Sequence, residues 1–147
     1  MKKQIQSAVV AISLVAAISV VGMASVFGKL SANIPFDFMV NGKQLPAGKY
    51  VVKSGAIGNT IVLFNAEENK SVIAQAATTG HRGSAEARLV FRRYGSQYFL
   101  AKVVSPTQSI ELGRTKAERE AAKSAGSKLA LSDVQPEIVT VSVNAGQ

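Results

Sequence analysis

The stretch "ANIPFDFMVNGKQLPAGKYVVK", residues 32–53, decides the fold. In its first half apolar side chains occupy alternate positions: Ile34, Phe36, Phe38 and Val40. A period of two residues predicts a strand with one buried face, and Pro35, which has no amide hydrogen, predicts an edge or first position. Asn41-Gly42 and Pro46-Ala47-Gly48 each predict a tight turn, because Asn and Gly tolerate positive φ and Pro fixes a first corner. The stretch therefore predicts a tightly turned β-meander that ends in a strand over residues 50–53.

Further strands follow at intervals of about 8–12 residues. The segments are 59–65 (NTIVLFN), 71–79 (SVIAQAATT), 88–94 (RLVFRRY), 97–105 (QYFLAKVVS) and 137–144 (EIVTVSVN). The predicted fold class is all-β, a small sandwich or barrel of about seven or eight short antiparallel strands. The expected core anchors are Phe36, Phe38 and Tyr50 in the first hairpin, and Phe91 with Leu100 in the second.

A single short helix is predicted in the C-terminal half, near residues 115–125. Thr115 and Glu118 have the capping-box spacing, in which the hydroxyl and the carboxylate cover the first free amides of a helix. The segment "KAEREAAKSA" that follows is rich in helix formers, and Gly126 stands where a C-terminal cap belongs. Alanines are the only apolar residues of this segment, which indicates a surface helix.

Residues 1–24 have the composition of a secretory signal peptide. Lys2 and Lys3 supply a positive start, and residues 8–28 form an uncharged run rich in Ala, Ser and Gly. Small residues place one candidate cleavage site before Ser25 and another before Asn33. The run is also long enough to span a bilayer, so the alternative is an uncleaved anchor over residues 8–28 in the inner membrane. Both interpretations predict export to the periplasm or the cell exterior.

The rest of the chain, residues 33–147, is predicted to be one basic β-rich domain. It has no cysteine, which excludes disulfides, thiolate metal sites and cysteine nucleophiles. Cleavage before Ser25 would remove Lys2 and Lys3 and lower the net charge of the chain from +8 to +6. A domain of this length can bury a core without covalent cross-links.

The sequence contains no recognisable catalytic constellation. Its single histidine, His81, lies in a predicted loop, and no serine stands in a Gly-x-Ser-x-Gly elbow. One histidine and no cysteine offer no metal-ligand spacing, so we expect neither a metal site nor a cofactor. A carbohydrate-active hydrolase is the alternative, and it would use a pair of carboxylates among Asp37, Glu86 and Glu111.

The basic hairpin of residues 88–102 is the stretch that suggests binding. It mixes cations with aromatic rings, and its candidate binding residues are Arg88, Arg92, Tyr94 and Lys102. Strand alternation puts Arg88 and Arg92 on one face and Arg93 on the other. Rings can stack and cations can hold phosphate, sulfate or carboxylate groups, so a polyanion-binding module is a further alternative. A solvated strand face is the plainer interpretation.

Three separated segments resemble a group of small exported bacterial proteins that is frequent in acidobacteria. In order, they are "IPFDFMVNGKQLPAGKYVV", "ARLVFRRYGSQYFLAKV" and "ELGRTKAEREAA". The shared frame is a signal peptide, an I-P-F-x-F-x-V-x-x-K-x-L-P-A-G-x-Y opening, an R-L-V-F-x-R-Y-G-x-x-Y-F-L hairpin and an E-L-x-x-[ST]-K-A-E-R helix start. The resemblance covers residues 32–122 and implies a single exported β domain, with no particular activity attached.

Together these patterns predict an exported, non-catalytic β domain with a structural or binding role in the cell envelope or outside the cell. The expected partner is an envelope polysaccharide or another anionic surface. No specific nucleic acid is expected, and the membrane is contacted only through the leader if the leader stays uncleaved.

Overall fold

The structure is a computed structural model that describes residues 28–56, 59–80, 83–129 and 134–145. Its strands are β1 (Leu30–Ile34), β2 (Phe38–Val40), β3 (Lys43–Leu45), β4 (Gly48–Ser54), β5 (Thr60–Asn65), β6 (Lys70–Gly80), β7 (Arg88–Tyr94), β8 (Gln97–Val104), β9 (Ser109–Leu112), β10 (Glu137–Ser142) and β11 (Asn144–Ala145). The helix α1 spans Lys116–Leu129. The predicted leader and His81 lie outside the described residues.

The strands form one mainly antiparallel sheet in the order β10-β7-β8-β9-β6-β5-β4-β1-β11, which is not closed into a barrel. Strand β2 pairs with β3 and, in parallel, with β8. The long strand β6 shifts register between Ala76 and Thr78, where it passes from β5 to β9. Bulges bend strands, so this shift helps the sheet to curl around its core. The predicted all-β class with one helix is confirmed.

The opening meander differs from its prediction in one detail. The expected strand from Ile34 to Val40 is two strands, because the chain leaves the ladder after Ile34 and returns at Phe38. Pro35 has no amide to donate there, and Asp37 instead accepts a hydrogen bond from the Ala47 amide at 2.9 Å. The predicted Asn-Gly turn is confirmed: Asn41 and Gly42 have φ values of 50° and 75°.

The core is aromatic where the meander meets the β7–β8 hairpin. The ring of Phe38 contacts Tyr50 and Phe91 edge-on, at centroid distances of 5.2 and 5.4 Å. Phe36 packs edge-on against Phe91 at 5.1 Å and stacks on Tyr98 at 3.9 Å. Four of the five predicted anchors are buried, and Phe36 is half-buried at the rim. Edge-to-face pairs of this kind stabilise a core beyond the area they bury.

Helix α1 runs past its predicted end. Gly126 does not cap it, since the helix continues to Leu129. Gly126 lies on the same side of the helix as Glu118 and Ala122, and it is buried. Gly126 is therefore a buried residue inside the helix rather than its C-terminal cap. Among the described residues, no helix is long and apolar enough to cross a membrane.

The sheet begins upstream of residue 33, the predicted start of the domain. Leu30 and Ala32 point into the core and are 1% and 5% exposed. Leu30 lies opposite Val52 in β4 and opposite Ala145 in β11. The residues just before Asn33 therefore belong to the folded domain.

We expect a chain that begins at Asn33 to be much less stable than one that begins at Ser25. The shorter chain lacks three of the five residues of β1, among them the buried Leu30. Losing one buried leucine side chain alone costs about 2–5 kcal/mol. Urea denaturation of the two purified chains measures the difference. A chain that begins at Lys29 is the control and should match the Ser25 chain. Equal midpoints for the Asn33 and Ser25 chains would contradict the role assigned to β1.

Candidate functional site

The four candidate binding residues of the basic hairpin share one face of the sheet. Alternation along β7 puts Arg88, Arg92 and Tyr94 on the face opposite Leu89 and Phe91. The β7–β8 register skips Ala101, so Lys102 stands opposite Val90 and joins this face. Arg93 points the other way, as predicted.

Helix α1 covers half of this face. The Arg92 guanidinium donates two hydrogen bonds to the Glu118 carboxylate, from Nε to Oε1 and from Nη2 to Oε2, the latter at 3.2 Å. Its Nη2 also donates to the Leu112 carbonyl at 3.3 Å. The Tyr94 hydroxyl donates to Glu118 Oε1 at 3.3 Å. The side chains of Arg92 and Glu118 are only 10% and 2% exposed. Arg92 and Tyr94 therefore hold the helix to the sheet instead of facing solvent.

The other two candidates stay outside the helix. Arg88 donates to the Ser84 hydroxyl at 3.1 Å. Lys102 lies opposite Glu111 on β9, where neighbouring cross-strand side chains of opposite charge attract each other. The four residues thus divide into a buried pair and a partly exposed pair whose neighbours are polar or acidic.

The sequence did not reveal Glu118 as the partner of Arg92, because its capping-box position suggested another use. Half of that box forms: the Glu118 amide donates to the Thr115 hydroxyl at 3.2 Å. The Glu118 carboxylate turns to the sheet instead of back to the helix start. The sequence did contain one signal. The apolar residues of this helix are alanines, which bury too little area to hold it against a sheet. A carboxylate among them therefore indicated a polar contact with the sheet.

We expect Arg92→Met to lower the free energy of unfolding by about 3–5 kcal/mol, because it removes the buried cation from the Glu118 carboxylate. The carboxylate then keeps only the Tyr94 hydroxyl and the more distant Arg114 Nε, 3.9 Å from Oε1. The double variant Arg92→Met with Glu118→Leu should recover much of this loss, since neither charge then remains. Urea denaturation of the two single variants and the double variant measures the coupling.

A matched control is the exposed ion pair between Arg93 and Glu137, whose Nη1–Oε2 distance is 3.1 Å. Arg93→Met should cost only about 0–1 kcal/mol, as is usual for surface pairs. Two results would contradict the buried-pair assignment. One is an equal loss of unfolding free energy in Arg92→Met and Arg93→Met. The other is a loss in the Arg92→Met, Glu118→Leu double variant that equals the sum of the losses in the two single variants.

Two buried tyrosines have altered acidity. Burial raises the pKa of Tyr94 above its ordinary value of 10.0, and the negative charge of Glu118 raises it further. Burial also raises the pKa of Tyr50, although its hydrogen bond with Asn65 acts in the opposite direction. The unfolded chain therefore loses these phenolic protons at a lower pH than the folded chain.

We expect these two tyrosines to contribute to stability fully below about pH 10 and to lose that contribution as the pH rises through their raised folded-state pKa values. Denaturation midpoints between about pH 9 and pH 11.5 measure the decline. Tyr94→Phe removes one of the two groups, so its decline should be shallower than that of the parent chain. An identical pH dependence in both proteins would contradict the proposed cause.

The three candidate carboxylates lie on three different elements. Asp37 is in the β1–β2 connection, Glu86 is in the loop before β7, and Glu111 is exposed on β9 opposite Lys102. Across the described part of the chain, no group of three potential metal ligands is found.

Asp37 nevertheless lines a small cleft of about 80 Å³ between the β2–β3 hairpin and the β7–β8 turn, together with the apolar Phe38 and Met39. Its polar lining consists of Asp37, Gln44, Ser96, Gln97 and Tyr98. Tyr98 also lines the cleft. Its ring is stacked on Phe36 and has the Arg93 guanidinium 5.4 Å from its centroid. The cleft combines hydrogen-bonding side chains with an aromatic ring that its neighbours hold in place. We call it the Asp37 cleft.

A second cleft, of about 60 Å³, lies between the Asn41-Gly42 turn and the start of α1. Its floor is apolar, and Glu118 lies at its base. Two of its polar groups already have partners: Glu118 binds Arg92, and the Asn41 side-chain amide donates to the Ile73 carbonyl at 3.4 Å. This cleft is therefore less suited to a ligand than the Asp37 cleft.

No protein-family model, curated protein or solved structure matches this chain. The candidate site accordingly has to be judged on its own geometry.

Proposed function

We propose that this chain is an exported, non-catalytic β domain of the cell envelope that binds polysaccharide at the Asp37 cleft. The observation that carries the proposal is the convergence of one carboxylate and two carboxamides, those of Asp37, Gln44 and Gln97, beside the ring of Tyr98. Ligand sites characteristically combine a few convergent polar groups with an apolar or aromatic wall.

The chemistry of these side chains suits sugar hydroxyls. A carboxylate accepts several hydrogen bonds, and a carboxamide both donates and accepts, so together they match hydroxyl groups, which also do both. One Asp37 oxygen already accepts from the Ala47 amide, which fixes the carboxylate and leaves the other oxygen for a ligand. The small volume suits the edge of one sugar unit in a chain that lies across the surface, rather than an enclosed ligand.

The lining of the cleft favours binding over hydrolysis. Glycoside hydrolysis ordinarily needs two carboxyl groups about 5–10 Å apart across the bond to be cut. Asp37 is the only carboxylate among the described residues that line the cleft. The buried Glu118 and Asn65 have structural partners instead: Glu118 binds Arg92, and Asn65 accepts hydrogen bonds from the Glu67 and Glu68 amides.

Export is the part of the proposal that rests on sequence. The charged start and uncharged run of residues 1–28 support it, and so does the resemblance to small exported bacterial proteins. The first described strand begins at Leu30, two residues after this run.

A screen of purified envelope polysaccharides and their fragments, followed by calorimetric titration, tests the proposal on the chain that begins at Ser25. For the ligand found, we expect Gln44→Ala and Gln97→Ala each to weaken binding about tenfold, the value of one or two hydrogen bonds. Gln75→Ala, which changes an exposed glutamine outside the cleft, should have no effect.

Two results would overturn the proposal. Release of new reducing ends from the bound polysaccharide would show a hydrolase. Loss of binding on replacing Arg88 and Lys102, with Gln44→Ala and Gln97→Ala neutral, would place the ligand on the exposed half of the basic hairpin.

A further inference from the structure

A second surface lies on the outer face of strands β4, β5 and β6. The register puts Val51 opposite Phe64, and it puts Lys53, Val62 and Ile73 in one row across the three strands. Alternation along each strand turns these side chains away from the core, because Tyr50, Val52, Ile61 and Leu63 are the buried residues of β4 and β5. Val51, Val62, Phe64 and Ile73 therefore form one contiguous apolar patch.

The patch is exposed and has a lysine border. Ile73 is 60% exposed, and the other three apolar side chains are half-buried. Lys49 and Lys53, both exposed, flank Val51 along β4 on the same face. We call this surface the lysine-edged face; it comprises the four apolar residues and these two lysines.

The strand residues that share this face carry no negative charge. The neighbouring outward residues of β1, β5 and β6 are uncharged: Ser31, Asn33, Thr60, Ser71 and Gln75. The carboxylates of Glu67 and Glu68 belong to the β5–β6 turn, where Glu68 pairs with Lys70 at 3.0 Å. An apolar centre with cations beside it complements a surface that is apolar beneath an anionic layer.

A second copy of the chain fits this face poorly. A twofold contact brings the same patch against itself, so the lysines of one copy would approach those of the other. Stable interfaces also use about 20–30 residues on each side, far more than the six that form this face. Docking on a lipid bilayer needs neither a self-complementary patch nor a large set of contact residues. The bilayer surface is continuous, and its anionic head groups attract each lysine separately.

We propose that the lysine-edged face docks the domain onto a bilayer that contains anionic lipid. Ile73 and Phe64 contact the boundary between head groups and acyl chains, and Lys49 and Lys53 contact the anionic head groups. This contact is peripheral and separate from the leader. It lies on a different face from the Asp37 cleft and does not depend on it.

The test is flotation with vesicles of phosphatidylcholine alone or with a quarter of phosphatidylglycerol. It uses the chain that begins at Ser25, because every described strand and the described helix lie after that residue and most of the apolar run, residues 8–24, is removed. We expect binding to the mixed vesicles that weakens as salt rises, and little binding to phosphatidylcholine alone. Lys49→Glu with Lys53→Glu should weaken binding more than about tenfold, since both contacts become repulsive.

Ile138 provides a matched control for the apolar part of the face. It is 58% exposed, close to the exposure of Ile73, but it lies on β10 in another part of the sheet. Ile73→Ser should weaken vesicle binding several-fold, whereas Ile138→Ser should leave it unchanged. The chain has no tryptophan, so Phe64→Trp gives a single reporter whose emission should shift to the blue on mixed vesicles.

Failure of the parent chain to float with the mixed vesicles would overturn the proposal. So would equal losses in the Ile73 and Ile138 variants, because hydrophobicity alone would then explain binding. A dimer in light scattering that Ile73→Ser dissociates would assign the face to a second copy. Gln97→Ala should leave flotation unchanged, so this proposal and the polysaccharide proposal can fail independently.

Discussion

The contact between Phe38 and Phe91 joins the two halves of the sheet. Phe38 comes from the opening meander and Phe91 from the β7–β8 hairpin, and each ring also contacts an aromatic neighbour, Tyr50 or Phe36. Because Phe36 also stacks on Tyr98, this aromatic cluster extends from the core to the wall of the Asp37 cleft. The position of Tyr98 at the cleft is thus tied to the aromatic packing of the core.

Helix α1 shows how one buried ion pair can remove candidate binding side chains from solvent. Without the helix, the outer face of β7 would present a guanidinium and a phenol, the groups of Arg92 and Tyr94. The helix brings the Glu118 carboxylate to both and removes them from solvent. An interface made mostly of alanines gains little from burial alone, so the polar cluster supplies the specificity that fixes the position of the helix.

The fold class was predictable because its signals are local. Alternation, the Asn41-Gly42 turn and the capping residue Thr115 depend only on neighbours in the sequence, and all three appear in the structure. The faces of β7 followed from the same rule. Contacts between residues distant in the sequence, such as Arg92 with Glu118, decide which element covers a face of the sheet. A local sequence pattern carries no information about such contacts. The Asp37 cleft escaped prediction for the same reason, since Gln44 and Gln97 meet only through the parallel pairing of β2 with β8.

The last strands have a consequence for the order in which the chain acquires its structure. Strand β10 pairs with β7 at one end of the sheet, and β11, which begins just after Val143, pairs with β1 at the other end. Leu30 and Ala145 are opposite each other although nearly the whole domain separates them in sequence. Contacts of such long range form slowly, because the entropy of closing the loop has to be overcome first. A nascent chain emerging from the ribosome cannot complete this sheet until its final residues are available. Until then, the edges of β7 and β1 lack their partner strands β10 and β11 and keep unpaired backbone groups.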